Sequence, residues 1–214
     1  MSAGLGGTGL VADDLYLMGH HEVSGKPYVQ PRALGTGLAG ALLAELMLGG
    51  GISLRRDGTV VPGTIAPGDM LACQVRGQIA DEREPHPVRD WLVYLARTAA
   101  EDVARRLERS GYVRRSGGRG WRHRGRWVPV DADWAFSPLL RARSALDPAR
   151  PCTAGQAALT GLADACGLSF RLAQYASPAD RSPQEAVGQL DPGLRELIAQ
   201  TQAAIGSAVL AHRL

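Results

Sequence analysis

One stretch constrains the fold more than any other: PRALGTGLAGALLAELMLGGGISL, from Pro31 to Leu54. Leu34 to Leu48 carries apolar residues at helical spacing and is apolar nearly all round, which predicts a helix buried in a core. Gly49-Gly50-Gly51 ends it, because glycine takes the left-handed backbone of a helix C-terminus without steric cost. Ile52-Ser53-Leu54 then reads as a strand, and Asp57-Gly58 turns it back through Val60-Val61 as a hairpin.

The same stretch contains a GxGxxG at Gly35, Gly37 and Gly40, with Asp57 about 20 residues on, as in a dinucleotide-binding loop. Three features reject that reading. Pro31 cannot continue a central strand into the motif, no alternation of strands and helices follows, and in a chain with 27 glycines such spacing arises easily. Gly37 and Gly40 are instead expected to let another helix pack closely. No cofactor is expected.

The remaining composition narrows the class. At 214 residues and 45% hydrophobic content the chain can bury a core. The opening MSAGLGGTGL lacks a basic segment followed by an apolar one, and no apolar run reaches 18 residues, so a cytoplasmic protein without a membrane span is expected. Cys73, Cys152 and Cys166 are too scattered for a disulfide frame or a zinc site, and adjacent His20 and His21 have no ligand partner at helical spacing, so no metal is expected. Charge is uneven. Arg105 to Arg126 holds nine arginines and one acid, a net +8, against −5 for the rest. Such a concentration points to an anionic partner: a membrane surface, a phosphate group or nucleic acid.

Taken in order, residues 1–9 read as a disordered glycine-rich tail and residues 10–214 as a single domain. Val11 to Met18 is a short helix with Asp13 and Asp14 in its first turn, where the helix dipole favours acids. Asp69 caps a helix from Met70 to Ile79, and Asp90 caps one from Trp91 through Leu95. Ala99 to Ser110 is a helix bearing Val103, Leu107 and the aliphatic stems of Arg105 and Arg106, ended by Gly111. Arg114 to Val130 forms a second hairpin, turning near Gly117-Gly118-Arg119-Gly120. Ser137 to Leu146, with Pro138 in its first turn, Thr153 to Cys166, a helix start at Ser182-Pro183-Gln184-Glu185, and Pro192 to Leu214 complete a mainly α chain of seven to ten helices. The expected fold is a compact helical core with two short hairpins, the second projecting and rich in Arg and Trp.

Several landmarks occur in one order. They are Leu15-Tyr16-Leu17-Met18, then Gly37-Leu38-Ala39-Gly40 running on to Glu45-Leu46, then Pro67-Gly68-Asp69-Met70-Leu71, Asp90-Trp91-Leu92 and Leu107-Glu108-Arg109-Ser110-Gly111-Tyr112-Val113. Together they resemble the Golgi phosphoprotein 3 family, and this chain looks like one of its bacterial relatives. The resemblance covers Leu10 to Leu146, with the C-terminal third similar only in helix pattern. It implies a non-enzymatic peripheral membrane adaptor that binds phosphatidylinositol 4-phosphate and holds the tails of membrane-bound glycosyltransferases. The family's headgroup pocket uses a tryptophan and three basic residues. These fall at Gln30, Ala39, Arg97 and Ala100, of which only Arg97 is basic, and Arg32 is near enough to substitute. The candidate headgroup site is therefore Arg97, Arg32 and Gln30.

The second hairpin supplies a second candidate, a membrane-contacting surface of Arg119, Trp121, Arg122, Arg124, Arg126 and Trp127. Tryptophan favours the headgroup zone, and each arginine near an anionic surface contributes about 1 kcal/mol. The competing expectation is that the tryptophans pack on the core or in a homo-oligomer contact while the arginines are solvated. A winged-helix nucleic-acid binder is the alternative function, since helix, glycine, strand and hairpin recur twice and the second unit is basic. Against it, no Asn/Gln-rich recognition face precedes the basic hairpin. An enzyme is the least supported class. No GxSxG, HExxH or Walker sequence occurs, and His20, His21, His86, His123 and His212 join no catalytic constellation.

Overall fold

The structure is a computed structural model that describes residues 8–116 and 126–210, with side chains to 207. Residues 1–7, most of the expected tail, lie outside it. Ten helices and two antiparallel hairpins make up the described chain: α1 (Val11–Met18), α2 (Pro31–Leu48), β1 (Ile52–Leu54), β2 (Val60–Pro62), α3 (Met70–Asp81), α4 (Val88–Leu95), α5 (Ala99–Arg109), β3 (Val113–Arg115), β4 (Trp127–Pro129), α6 (Ala132–Ser144), α7 (Ala154–Ala165), α8 (Ser169–Ala173), α9 (Pro183–Gly188) and α10 (Pro192–Leu210). The mainly α expectation holds.

α2 is the axis of the molecule, packing against α1, α3, α4, α5, α7 and α10. It begins at Pro31 rather than at Leu34. Proline presets the helical backbone at the first position and forfeits no helical hydrogen bond there. Its glycines are the close-packing sites expected. A Cβ on Gly37 would lie 2.0 Å from the Cys166 sulfur beyond α7, and one on Gly40 would lie 2.6 Å from the Thr201 hydroxyl on α10. Leu38, Leu43, Leu92, Leu107, Leu162 and Leu197 around the axis are all but fully buried. Each such side chain stabilises the fold by about 1.5–3 kcal/mol.

Both hairpins form, with Ser53 opposite Val61 and Arg114 opposite Val128. Asp57 and Gly58 make the first turn. The Asp57 carboxylate accepts from the Thr59 N–H and hydroxyl at 3.0 and 2.7 Å, and Gly58 takes φ 80°. The second hairpin's expected turn, with Arg119, Trp121, Arg122 and Arg124, lies outside the described residues.

Two helix starts differ from expectation. α4 starts at Val88, with Pro87 as its N-cap and Asp90 inside its first turn rather than capping it. Docking sets this boundary, because the Val88 N–H donates to the Gly58 carbonyl of the hairpin turn at 3.0 Å. α6 starts at Ala132, so Pro138 sits inside the helix. Asp131 accepts from the Asp133 and Trp134 N–H groups at 2.8 and 3.1 Å, starting the helix earlier, and Pro138 forgoes the bond to the Trp134 carbonyl. The Asp69 cap and the helix start at Ser182 form where expected, and Thr153, expected as the first residue of its helix, is the N-cap of α7.

Candidate functional site

Gln30, Arg32 and Arg97 are all exposed. Gln30 is the N-cap of α2, and Arg32 sits in its first turn. Arg97 lies in the turn after α4, where its N–H donates to the Tyr94 carbonyl. Gly35 brings the two segments together, since a Cβ there would lie 2.9 Å from the Ala96 carbonyl oxygen. α4 therefore ends beside the first turns of α2, and Arg32 and Arg97 flank that close approach. Arg97 also lines a cavity of 240 Å³ with Thr98, Asp102, Tyr94 and Gln78. Ala39 is fully buried and Ala100 partly so, and neither offers a charge.

The base of the second hairpin lies at the other end of the same loop. A Cβ on Gly25 would fall 2.0 Å from the Trp127 carbonyl oxygen, so the loop before α2 runs directly under β4. Gly25 has φ 60°, which glycine adopts without strain. Trp127 is half-buried and carries the Arg115 guanidinium 4.5 Å above its ring. Arg126 is exposed and acts electrostatically on His20. Burial, together with Arg126, holds His20 below its usual range, against a hydrogen bond from its Nδ1 to the Tyr16 carbonyl. Neutral at pH 7, His20 adds no charge to this face.

Between these ends lies an aromatic pair that the sequence reading missed. Tyr28 and Phe170, both exposed, have ring centroids 6.1 Å apart in an edge-to-face arrangement. Arg171 holds Tyr28 in place. Its guanidinium lies 4.4 Å over the Tyr28 ring, donates to the Met18 carbonyl at 3.2 Å, and pairs with Glu22, which also accepts from the Tyr28 hydroxyl at 2.8 Å. Burial pushes Glu22 up, but hydrogen bonds from its own backbone, Arg171 and Tyr28 outweigh it and hold the carboxyl below its usual range. Tyr28 and Phe170 are 142 positions apart, and no local spacing links them.

A second charged group is internal. Arg106 is 5% exposed and reaches three carboxylates: Asp13 at 2.8 Å, Glu45 at 3.0 Å and Asp69 at 3.2 Å. Next to it Arg141 of α6 pairs with Asp14. So Asp13 and Asp14 do more than favour the helix dipole, and Arg106 contributes a buried head rather than only its stem, while Arg105 pairs with Glu101 at the surface. Burial outweighs the arginines, pushing Glu45 and Asp14 each up to about 7. This network ties α1, α2, α5, α6 and the start of α3 together, buried at Arg106, Asp13, Asp14 and Glu45 and reaching solvent at Asp69. Its signal in the sequence was Arg106 three residues from Val103 and next to Leu107, on the apolar face of its helix.

Among the described residues no group of His, Cys, Asp and Glu is arranged to hold a metal ion, and no helix is long and apolar enough to cross a membrane. The fold is thus a helical core in which the loop before the central helix brings Arg126, Tyr28, Phe170, Arg32 and Arg97 onto its course. Residues 11–201 match the family model for Golgi phosphoprotein 3, and the chain belongs to that family. No individually curated protein matches it.

Proposed function

We propose that this protein is a non-enzymatic peripheral membrane adaptor that binds anionic lipid headgroups, phosphoinositides among them, through the face running from Arg126 and Trp127 past Tyr28 and Phe170 to Arg32 and Arg97. The carrying observation is that segment 25–35 abuts the hairpin base at Gly25 and the Arg97 turn at Gly35. Residues from four separate parts of the chain thereby meet along one loop. Exposed rings beside exposed guanidiniums suit an interface where the ring enters the headgroup zone and the cations meet phosphate. Membership of the Golgi phosphoprotein 3 family supports the same reading. Only Arg97 stands at a basic position of the family's pocket, so general anionic recognition is favoured over strict selection of phosphatidylinositol 4-phosphate. A membrane-bound enzyme's tail and a second copy of the chain are partners consistent with an adaptor. The burial of Arg106 counts against α5 as a nucleic-acid recognition helix, because that residue is engaged inside the core. Co-sedimentation with neutral and anionic vesicles tests the proposal, with pelleting expected only with the anionic ones at low salt.

A further inference from the structure

The opposite end of α4 carries a different basic cleft. Arg55 and Arg56 from the β1–β2 turn and Arg89 from the first turn of α4 line a cavity of 460 Å³, closed on its far side by the start of α10. Arg89 lies in the first turn of α4 and Arg97 just beyond its last residue, and the two line different cavities. Among the described residues, the guanidiniums of Arg56 and Arg89 make no hydrogen bond or ion pair, in contrast to those of Arg76, Arg106, Arg141, Arg143 and Arg171. Two carboxylates also line the cleft, Asp57 beside Arg55 and Glu196 on α10, so its three arginines leave it a formal charge of +1. Asp57 accepts from Thr59, and Glu196 accepts from the Gln200 amide at 2.8 Å.

The cleft is also preformed. The Val88 N–H donates to the Gly58 carbonyl at 3.0 Å and the Val60 N–H to the His86 carbonyl at 2.9 Å, so the turn is fixed to the helix start. Pro87 caps α4 without a side-chain acceptor. Asp90 sits in the first turn of α4, and the Val88 and Asp90 N–H groups already donate to the Gly58 and Pro87 carbonyls, so the positive charge of the cleft comes from its arginines.

We infer that this cleft binds a phosphate-bearing ligand, held by the guanidiniums of Arg55, Arg56 and Arg89 at the N-terminus of α4. Guanidinium suits this task, since its planar fork matches phosphate oxygens two at a time. A cavity of 460 Å³ has room for a phosphate together with the small polar group that carries it. A soluble phosphate ester and a phosphomonoester lipid headgroup share this chemistry, and the experiment separates them.

Isothermal titration with inorganic pyrophosphate is the direct test, on the wild type, on Arg56→Gln/Arg89→Gln and on the control Arg109→Gln/Arg114→Gln, which lies in neither proposed site. Both pairs are exposed and remove the same charge, and circular dichroism confirms that each variant is folded. Saturable binding is expected in the wild type, roughly tenfold weaker in the first pair and unchanged in the second. Phosphatidic acid vesicles then identify the source. Reduced pelleting of Arg56→Gln/Arg89→Gln assigns the site to a lipid headgroup; unchanged pelleting beside weakened pyrophosphate binding assigns it to a soluble ligand. If Arg56→Gln/Arg89→Gln matches the wild type in both assays, the inference is overturned. A failure of the membrane proposal shows instead in the vesicle pelleting of Arg32→Gln/Arg97→Gln.

Discussion

The Arg106 guanidinium grips both carboxylate oxygens of Glu45, with Nη1 3.0 Å from Oε2 and Nη2 3.1 Å from Oε1. This fork joins the middle of the protein to α5, and Asp13 and Asp69 close around it. Removing the cation strands three carboxylates, two of them deeply buried. Arg106→Met is therefore expected to cost about 3–5 kcal/mol, measured by urea unfolding, because an unpaired buried charge loses its compensation. A loss under about 1 kcal/mol would show that the network relaxes or admits water.

The same network makes stability depend on pH with a definite sign. Asp14 rises from 3.8 to about 7 and Glu45 from 4.5 to about 7, in both cases chiefly through burial. Between those values the unfolded chain has released protons that the folded chain still holds. Rising pH therefore favours unfolding, and the contribution, full below about pH 4, is lost as pH climbs through about 7. Each group adds a slope of up to about 1.4 kcal/mol per pH unit. Asp14→Asn removes one titration and is expected to flatten the profile between pH 5 and 7 relative to wild type. An identical slope in the two proteins would contradict the assignment.

Two glycine substitutions are expected to act in opposite directions. Gly37→Ala forces a Cβ against the buried Cys166 sulfur and is expected to destabilise by about 1–3 kcal/mol, with partial rescue by Cys166→Ala. Gly77→Ala, inside α3 with nothing within 4 Å of the new methyl, is expected to stabilise by about 0.5–1 kcal/mol through helix propensity. Thermal melts of the three variants decide the matter. Equal effects at Gly37 and Gly77 would mean that α2 has room to shift.

Thiol reactivity offers an independent check on the core. Cys166 is buried with its thiol pushed up to about 12, and Cys73 is exposed. A thiol reagent at neutral pH is expected to modify Cys73 at once and Cys166 only on unfolding. Rapid reaction at Cys166 in the native protein would place the α2–α7 contact in doubt.

The sequence displayed the fold well and the site poorly, for identifiable reasons. Asp69 and Ser182 act within three residues of themselves, so those helix starts were legible, and α2 declared itself by an apolar run ended by glycines. The starts of α4 and α6 were set by contacts with the hairpin turn and with Asp131, which local spacing ranked below Asp90 and Pro138. Asp69 was recognised as a cap but not as a partner of Arg106, 37 positions away. Tyr28 with Phe170, and Arg171 with Glu22, are likewise long-range pairs that only tertiary packing creates. Arg97 and Arg32 were named from a family resemblance, and the Gly35 contact gives them a structural reason to act together.

The most direct measurement of the account is vesicle co-sedimentation of the wild type and Arg32→Gln/Arg97→Gln, with neutral and anionic vesicles, at low and high salt. The wild type is expected to pellet with anionic vesicles alone and to release as salt rises, because surface attraction is screened within a Debye length. Removing two arginines at about 1 kcal/mol each is expected to weaken partitioning by roughly tenfold or more. Equal pelleting with neutral and anionic vesicles at low salt, or a double variant that partitions like the wild type, would contradict the assignment of this face to an anionic membrane.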